Sequence, residues 1–539
     1  MSFGKNKGSY RERKEFKMSS TLQIGGLASG INTQEIITKI LESYRRPVER
    51  LKQNKQLLEW KQADYREING LLLSFSTGNA LTLKLESTFK AKTTVSGNEQ
   101  AVSATASAQA ANGTYLIEVD ALAAIATNIS NNAISQDAGN KIDPALSLAS
   151  QKEKFAAYAT HPEYFTGSFS FSLTTAGLDG QPVTKSFTVN PNNDSLNTIL
   201  NRINNSLPLT AFYDSSADKV SLATTKTGDY LSGQEIQFAA DGFLARVLNL
   251  NQANEQGGTD GQATINGLDV QLKNNSYTAG YVTFSFKNTT AAPVTVTVGP
   301  DTDKVVESIK TFVEDYNALL EKINGETRES YNRNYPPLTE EQKKQMTEEE
   351  IKKWEENARN GLLANDSLLG KVVFDLRTAL MSSVSGLTGS FSHLSQVGIT
   401  TGNWNEYGKL YFNENQFRAA LAADQEGVAA LFTKNSDNYA GKGVGERLYT
   451  AASQAISRLV AQAGAANQTL TMDTSNLGRQ IYFINQRTVQ LEERLAVREA
   501  QLWRQFTAME ELVNLYNNQS NWLAQQVTNM QNQTGQKSG

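Results

Sequence analysis

Residues 477–530 have the sequence LGRQIYFINQRTVQLEERLAVREAQLWRQFTAMEELVNLYNNQSNWLAQQVTNM, and their apolar side chains recur with heptad spacing. Alternating steps of four and three residues from Leu477 reach sixteen positions up to Met530, of which eleven are apolar. A seven-residue repeat keeps an apolar seam on one face of a helix and requires a partner helix. The segment therefore predicts a long C-terminal helix that takes part in assembly, rather than an ordinary helix on a globular core.

The N-terminal part of the chain carries the same repeat. Its apolar members are Ile37, Leu41, Tyr44, Val48, Leu51, Leu58, Tyr65 and Leu72. Asn32 and Glu35 have the spacing of a helix N-cap and its partner. Pro47 disfavours helical geometry at Arg46, so we expect one helix to end there and a second to begin. Since both ends of the chain require partner helices, they are expected to pair with each other or with neighbouring subunits.

Some core positions of the C-terminal repeat are polar, namely Arg498, Gln505, Gln519 and Gln526. Polar core residues weaken a permanent coiled coil. We therefore expect a contact that opens and reforms. Replacing these residues with leucine should stabilise the oligomer against denaturant, and unchanged stability would count against this interpretation.

The region between the two ends is β-rich and poor in charge. Apolar residues alternate with serine or threonine, as at Phe169, Phe171 and Leu173, which predicts half-buried antiparallel strands. Only 26 of the 196 residues from 105 to 300 are charged, so this part offers little electrostatic attraction for a charged ligand. A structural β-rich unit is the simplest interpretation, and a carbohydrate-binding sandwich is the alternative.

Composition excludes several classes of function. The 539-residue chain contains no cysteine, which rules out a disulfide framework, a thiolate metal site and a cysteine nucleophile. Its net charge of −4 gives no general attraction to nucleic acid, and no apolar run approaches the roughly 18 residues of a membrane span. No apolar segment of a secretory signal follows the basic start, so any export is expected to use another route.

No catalytic or cofactor site is expected. His161 and His393 are far apart in sequence, and Asp301 with Asp303 is better explained as a helix start than as a calcium or acid–base pair. The glycine-rich run Gly25–Gly30 lacks the Lys-Ser/Thr of a phosphate loop and is expected to act as a hinge.

These patterns predict an elongated multidomain α+β protein, with long terminal helices forming a coiled-coil foot, a helical leg domain and β-rich antiparallel head domains. The expected divisions are a disordered basic leader 1–17, an N-terminal helical foot 18–46, leg halves 47–99 and 303–476, one or two head domains 100–302, and a C-terminal coiled-coil foot 477–539. Met18 is an alternative start of the chain.

The segment Ile24-Gly25-Gly26-Leu27-Ala28-Ser29-Gly30-Ile31-Asn32 resembles the opening of the bacterial flagellar filament-cap proteins, the flagellar hook-associated protein 2 family. Further similar motifs follow in the family's order: Ile265-Asn266-Gly267, Phe312-Val313 with Tyr316-Asn317, the charged insertion ending at Trp354, Asn365-Asp366-Ser367-Leu368, Gly408-Lys409-Leu410 and Arg504-Gln505-Phe506. The order and spacing of these motifs over most of the chain carry the resemblance.

The resemblance implies a structural cap at the distal end of the flagellar filament. Such a cap forms a homo-oligomeric ring that promotes flagellin polymerisation and prevents flagellin loss, and so serves motility. The implied partners are flagellin, hook–filament junction proteins and a type III export chaperone, and the implied location is the filament tip after secretion. Some family members show cell adhesion, which the resemblance does not assign to this chain. The alternative function is a secreted adhesin or glycan-binding surface protein with a β-rich head.

The candidate assembly residues come from the glycine-rich opening and from the two apolar seams. They are Leu27, Ser29, Gly30, Ile31, Ile37, Leu41, Leu491, Leu495, Leu502 and Met509.

Overall fold

The computed structural model describes residues 32–465 and 473–535, with side chains up to residue 530. The predicted leader 1–17 and the glycine-rich opening 24–31 lie outside these residues. Within the described parts of the chain, no helix is both long and apolar enough to cross a membrane.

Helices occupy both ends of the described chain, and most strands lie between them. In chain order the first elements are α1 (Thr33–Phe75), α2 (Leu81–Lys84), α3 (Glu86–Phe89), β1 (Lys92–Ser96), β2 (Val102–Ala106), β3 (Gly113–Ala121), β4 (Ile125–Ile129), α4 (Glu163–Thr166), β5 (Phe169–Ala176), β6 (Pro182–Val189), α5 (Leu196–Ser206), β7 (Leu209–Asp214), β8 (Lys219–Thr227), β9 (Ile236–Phe238) and α6 (Phe243–Arg246). The remainder are β10 (Gly261–Ile265), β11 (Leu268–Leu272), β12 (Ser276–Ala279), β13 (Val282–Phe286), β14 (Val294–Pro300), α7 (Thr302–Arg328), α8 (Glu340–Lys343), α9 (Glu348–Arg359), α10 (Ser367–Met381), β15 (Ile399–Thr401), β16 (Leu410–Phe412), α11 (Glu414–Ala423), α12 (Gln425–Thr433), α13 (Val444–Ala463) and α14 (Asn476–Gly535).

Helix α1 is continuous through Pro47, so the predicted helix break at Arg46 is wrong. The Asn32 side chain accepts a hydrogen bond from the Glu35 backbone N–H at 3.1 Å and begins the helix as expected. Proline removes one backbone donor and strains the preceding turn. Burial of the next residue, Val48, which is 5 % exposed, offsets that local cost.

The first β core combines strands from both ends of the β-rich region. A five-stranded antiparallel sheet in the order β1-β14-β3-β10-β11 and a three-stranded sheet in the order β12-β13-β2 enclose it. The Ile265-Asn266-Gly267 motif makes the hairpin between β10 and β11. Asn266 and Gly267 both have positive φ, 51° and 84°, as this tight turn requires, and Gly267 adopts that geometry without a side-chain clash.

The second β core is inserted in sequence between β3 and β10. Helix α5 packs with the sheets β4-β8-β7 and β6-β5-β9 around residues from Ala126 to Leu250. A hairpin around residues 214–218 joins β7 to β8. The side chain of Ser195 caps α5 by accepting a hydrogen bond from the Thr198 N–H.

The largest core is helical and joins segments distant in sequence. It contains buried residues from the second half of α1, from α7, α10 and α13, and ends at Leu477 in α14. The small hairpin β15–β16 packs at its side through Ile399 and Leu410. The two segments assigned to one leg therefore share a core, while the exact domain boundaries stay a prediction.

Candidate functional site: the terminal helix pair

Helices α1 and α14 form an antiparallel pair. Lys52 Nζ lies 2.7 Å from Glu492 Oε1, and the Arg498 guanidinium lies over the Tyr44 ring, 6.0 Å from its centroid. Residue numbers thus rise along one helix as they fall along the other. The chain's two repeats therefore supply each other's partner helix.

A small apolar cluster lies at the far end of this pair. Ile37 and Leu41 from α1 are each 1 % exposed, and Leu502 from α14 is 5 % exposed. Leu495 is half-buried against the same cluster, and Leu491 is also half-buried. The structure thus brings together four of the residues selected from the sequence, Ile37, Leu41, Leu495 and Leu502.

The predicted seam departs from the structure after Leu502. Phe506 and Trp503 pack against the cluster, whereas Gln505 is exposed and Met509 is 36 % exposed. Met509 is therefore exposed among the described residues, in which α1 begins at Thr33, and its role in assembly stays a prediction. The predicted repeat passes from Leu502 to Gln505, three residues on. The residue that packs against the cluster is Phe506, four residues on.

The last part of α14 presents an exposed apolar stripe. Its large side chains are about half exposed or more: Leu512, Leu515, Tyr516, Trp522, Leu523 and Val527. The stripe continues the seam along the helix for roughly 22 Å, from residue 512 to residue 527 at 1.5 Å per residue. An exposed apolar stripe of this length is typical of an interaction surface.

Polar contacts fix the other end of the pair to the helical core. Gln62 Nε2 donates to the Ala463 carbonyl at 2.9 Å and to Asp473 Oδ2 at 2.8 Å. Arg66, one turn further along α1, also donates to Ala463 at 2.9 Å and to Asp473 at 2.8 Å. Two side chains of α1 thereby hold the end of α13 beside the start of α14.

The electrostatics at this junction favour ionised Asp473. Burial opposes the charge, but hydrogen bonds from Ser475 and Gln62 and the positive charge of Arg66 together lower the pKa of the Asp473 carboxyl group. Nearby, burial and then the 2.5 Å hydrogen bond to Asp366 raise the pKa of the Tyr65 hydroxyl. Asp473 is thus a charged acceptor and Tyr65 a neutral donor, as their contacts require.

The charged insertion between α7 and α10 lies against the helix pair. Two of its helices begin with capping boxes, formed by Thr339 with Gln342 and by Thr347 with Glu350. Gln53 of α1 donates to the Pro337 carbonyl at 2.7 Å.

The helix that ends the insertion is also tied to α1. Arg359 Nε donates to Asp64 Oδ1 at 3.0 Å, and this hydrogen bond raises the pKa of the guanidinium group. The Trp354 indole N–H donates to the Pro336 carbonyl at 2.8 Å. The insertion therefore braces α1 from the side, a role that sequence reasoning left open.

The candidate catalytic groups make structural contacts. His393 contacts the Met381 carbonyl at 2.7 Å, and His161 contacts the side chain of Glu163 at 3.1 Å. Asp301 caps α7 by accepting from the Lys304 N–H at 2.9 Å, as predicted for a helix start. Among the described residues, no group of three or more histidine or acidic side chains is arranged to hold a metal ion.

Comparison with known proteins assigns the family. A profile described as "Flagellar hook-associated protein 2 N-terminus" matches residues 29–126, and one described as "Flagellar hook-associated protein 2 C-terminus" matches residues 258–518. The flagellar hook-associated protein 2 of Halalkalibacterium halodurans is 34 % identical over 92 % of this chain and 98 % of its own length. The chain belongs to the flagellar hook-associated protein 2 family. The protein of the same name from Thermotoga maritima is 25 % identical over 95 % of this chain and 96 % of its own length.

The fold also matches a solved structure of a hook-associated protein 2. The D1-D2-D3 domains of the flagellar cap protein FliD from Escherichia coli align with a TM-score of 0.50 and 21 % identity, covering 78 % of this chain and 99 % of that one. The multidomain α+β architecture with long terminal helices is therefore confirmed. The function is that of a structural flagellar cap protein located in the flagellum, and the adhesin alternative does not fit.

Proposed function

We propose that this chain forms a homo-oligomeric ring at the distal tip of the flagellar filament, where it guides incoming flagellin into the filament and prevents its loss. Family membership supports the role as a filament cap, and the exposed stripe of α14 supports the proposed contact between subunits. That stripe is the observation that carries the proposal, because it presents six large exposed apolar side chains that the described part of α1 does not cover.

The proposed mechanism is mechanical. The stripe packs against neighbouring subunits of the tip, and its polar interruptions at Gln519 and Gln526 allow this contact to open and reform as each flagellin is admitted. Ile37, Leu41, Leu491, Leu495 and Leu502 act by holding α1 and α14 together, so that the stripe is presented at a fixed angle. Leu27, Ser29, Gly30 and Ile31, which precede α1, are proposed as the hinge to the adjoining subunit.

No bond is made or broken in this mechanism, so the chain acts without catalysis. The other proposed partners take part in export of the chain and its delivery to the filament tip. We infer secretion through the flagellar type III apparatus, supported by the absence of cysteine, which suits a chain that travels unfolded. We also propose an export chaperone, which covers the apolar stripe before export. The last proposed partners are the hook–filament junction proteins, on which the cap first assembles.

Complementation tests the proposal. A flagellated bacterium of the same source lacking its cap gene is supplied with the wild-type gene, and filaments are counted by electron microscopy while flagellin is measured in the medium. We expect filaments to return and free flagellin to fall. Continued loss of flagellin, although this protein is secreted, would contradict the proposal.

A pair of variants separates the stripe from general effects on α14. Changing Leu512 and Tyr516 to serine should abolish complementation without preventing secretion. The matched change of Gln525 to serine, on the same exposed part of α14, should complement normally. Equal activity of the two variants would remove the stripe from the mechanism.

A further inference from the structure

A groove lies where the charged insertion meets the terminal helix pair. Side chains of α1, α14 and the segment around α8 enclose about 370 Å³. Val48, Leu338 and Leu495 supply its apolar surface, and Val48 and Leu338 are 5 % and 8 % exposed. The groove therefore has a firm apolar floor between three separate elements.

The rim of the groove carries an excess of negative charge. Its carboxylates belong to Glu49, Glu340, Glu341, Glu355, Glu492 and Glu499. Three basic residues oppose them, and two form ion pairs: Lys52 with Glu492 at 2.7 Å and Lys343 with Glu355 at 2.8 Å. The remaining four carboxylates make no ion pair with any residue that the structure describes. A cationic segment with some apolar character would complement this surface.

The N-terminal leader of the same chain has that chemistry. Residues 5–17, KNKGSYRERKEFK, contain six basic and two acidic residues, with Tyr10 and Phe16 among them. We propose that residues 5–17 dock in this groove within one chain, with their basic side chains on the four unpaired carboxylates and an aromatic side chain on the apolar floor. The proposal is independent of filament capping, and the family's N-terminal profile begins only at residue 29.

The length of the connecting chain permits this docking. Helix α1 begins at Thr33, and Val48 lies fifteen residues further along, roughly 22 Å at 1.5 Å per residue. The fifteen residues from Lys17 to Asn32 span up to about 50 Å when extended, at roughly 3.3 Å per residue. The leader can thus fold back beside α1, and its attachment gives it a high effective concentration at the groove.

Docking would join the insertion to the foot of the molecule. Because the leader would contact α1, α14 and α8 together, it would hold these elements more firmly than the Gln53–Pro337 hydrogen bond does alone. The attraction is largely between exposed charges, so salt should weaken it.

Cysteine cross-linking provides the test, because the natural chain has no cysteine to interfere. The full chain carrying Ser9→Cys and Gln56→Cys is oxidised mildly, and the intramolecular disulfide is followed on non-reducing gels. The control carries Ser9→Cys and Asn54→Cys. Asn54 is exposed on the same helix and does not line the groove. We expect the groove pair to form its disulfide at least about tenfold faster than the control, and we expect this advantage to disappear in high salt or with Glu340→Gln and Glu341→Gln.

Equal rates for the two pairs, or disulfide-linked dimers in place of the intramolecular product, would overturn the proposal. A second measurement requires no introduced cysteine. Amide hydrogen exchange at residues 338–344 should be severalfold faster in a chain lacking residues 1–17 than in the full chain. Unchanged exchange at these amides would also overturn the proposal.

Discussion

Shortening Leu41 to alanine should open the far end of the α1–α14 pair without unfolding the rest of the molecule. Leu41 is 1 % exposed, and its cluster is separate from the large helical core. Burial of leucine in a core is typically worth about 2–5 kcal/mol relative to alanine. We expect the lower part of this range, about 2–3 kcal/mol, because the neighbouring Trp503 and Phe506 are only half-buried and can move into the space.

The assay is amide hydrogen exchange measured by mass spectrometry on peptides from residues 33–50 and 495–510. A loss of about 2–3 kcal/mol corresponds to exchange that is roughly 30- to 150-fold faster in these peptides. Peptides from α13 should keep their protection. Leu512→Ala is the matched control, since Leu512 is 56 % exposed on the same helix and should change protection little. Unchanged exchange in Leu41→Ala, or equal acceleration by Leu512→Ala, would refute the pairing.

Three further predictions concern the helical core. Arg447 is 1 % exposed and donates to four backbone carbonyls at 2.7–3.0 Å. Arg447→Met should therefore lower the free energy of unfolding, measured by chemical denaturation, by about 3 kcal/mol or more. A denaturation midpoint equal to that of wild type would contradict this prediction. A Cβ at Gly445 would lie 2.5 Å from the Leu83 carbonyl oxygen, so Gly445→Ala should lower the melting temperature by several degrees, whereas Gly325→Ala, where nothing lies within 4 Å, should not. Folding lowers the pKa of Asp473, so the contribution of Asp473 to the free energy of unfolding is complete above its unfolded pKa near 4 and is lost as pH falls below that value. The free energy of unfolding should therefore change less steeply with pH in this range for Asp473→Asn than for wild type. Identical slopes would exclude a stabilising role of the Asp473 charge.

Periodicity predicted the helices and strands well because each half-buried element must keep its apolar residues on one face. The seam residues Ile37, Leu41 and Leu502 were identified in this way, as were the antiparallel strands. These features depend on residues close together in sequence. The heptad pattern also indicated that the terminal helices require partners, although it left open whether the partner was the same chain.

Features that depend on distant residues were missed. The break expected at Arg46 did not occur, because burial of Val48, next to Pro47, outweighs the local cost of proline. Met509 fits the repeat but lies beyond the start of α1, and no property of its own neighbours in sequence shows this. The contacts of Gln62 with Asp473 and of Arg359 with Asp64 join residues about 300 to 400 positions apart, which a single sequence does not reveal.

Labelling the protein on growing filaments tests the central claim, that it caps the distal end, most directly. Leu178 is 81 % exposed in the turn between β5 and β6, so Leu178→Cys adds a single reactive thiol to a chain that otherwise has none. After maleimide–gold labelling in a cap-deleted strain that expresses this variant, electron microscopy should show label at one end of each filament, the end distal to the cell. Label distributed along the filaments, confined to the junction with the hook, or found only in the medium would contradict the account.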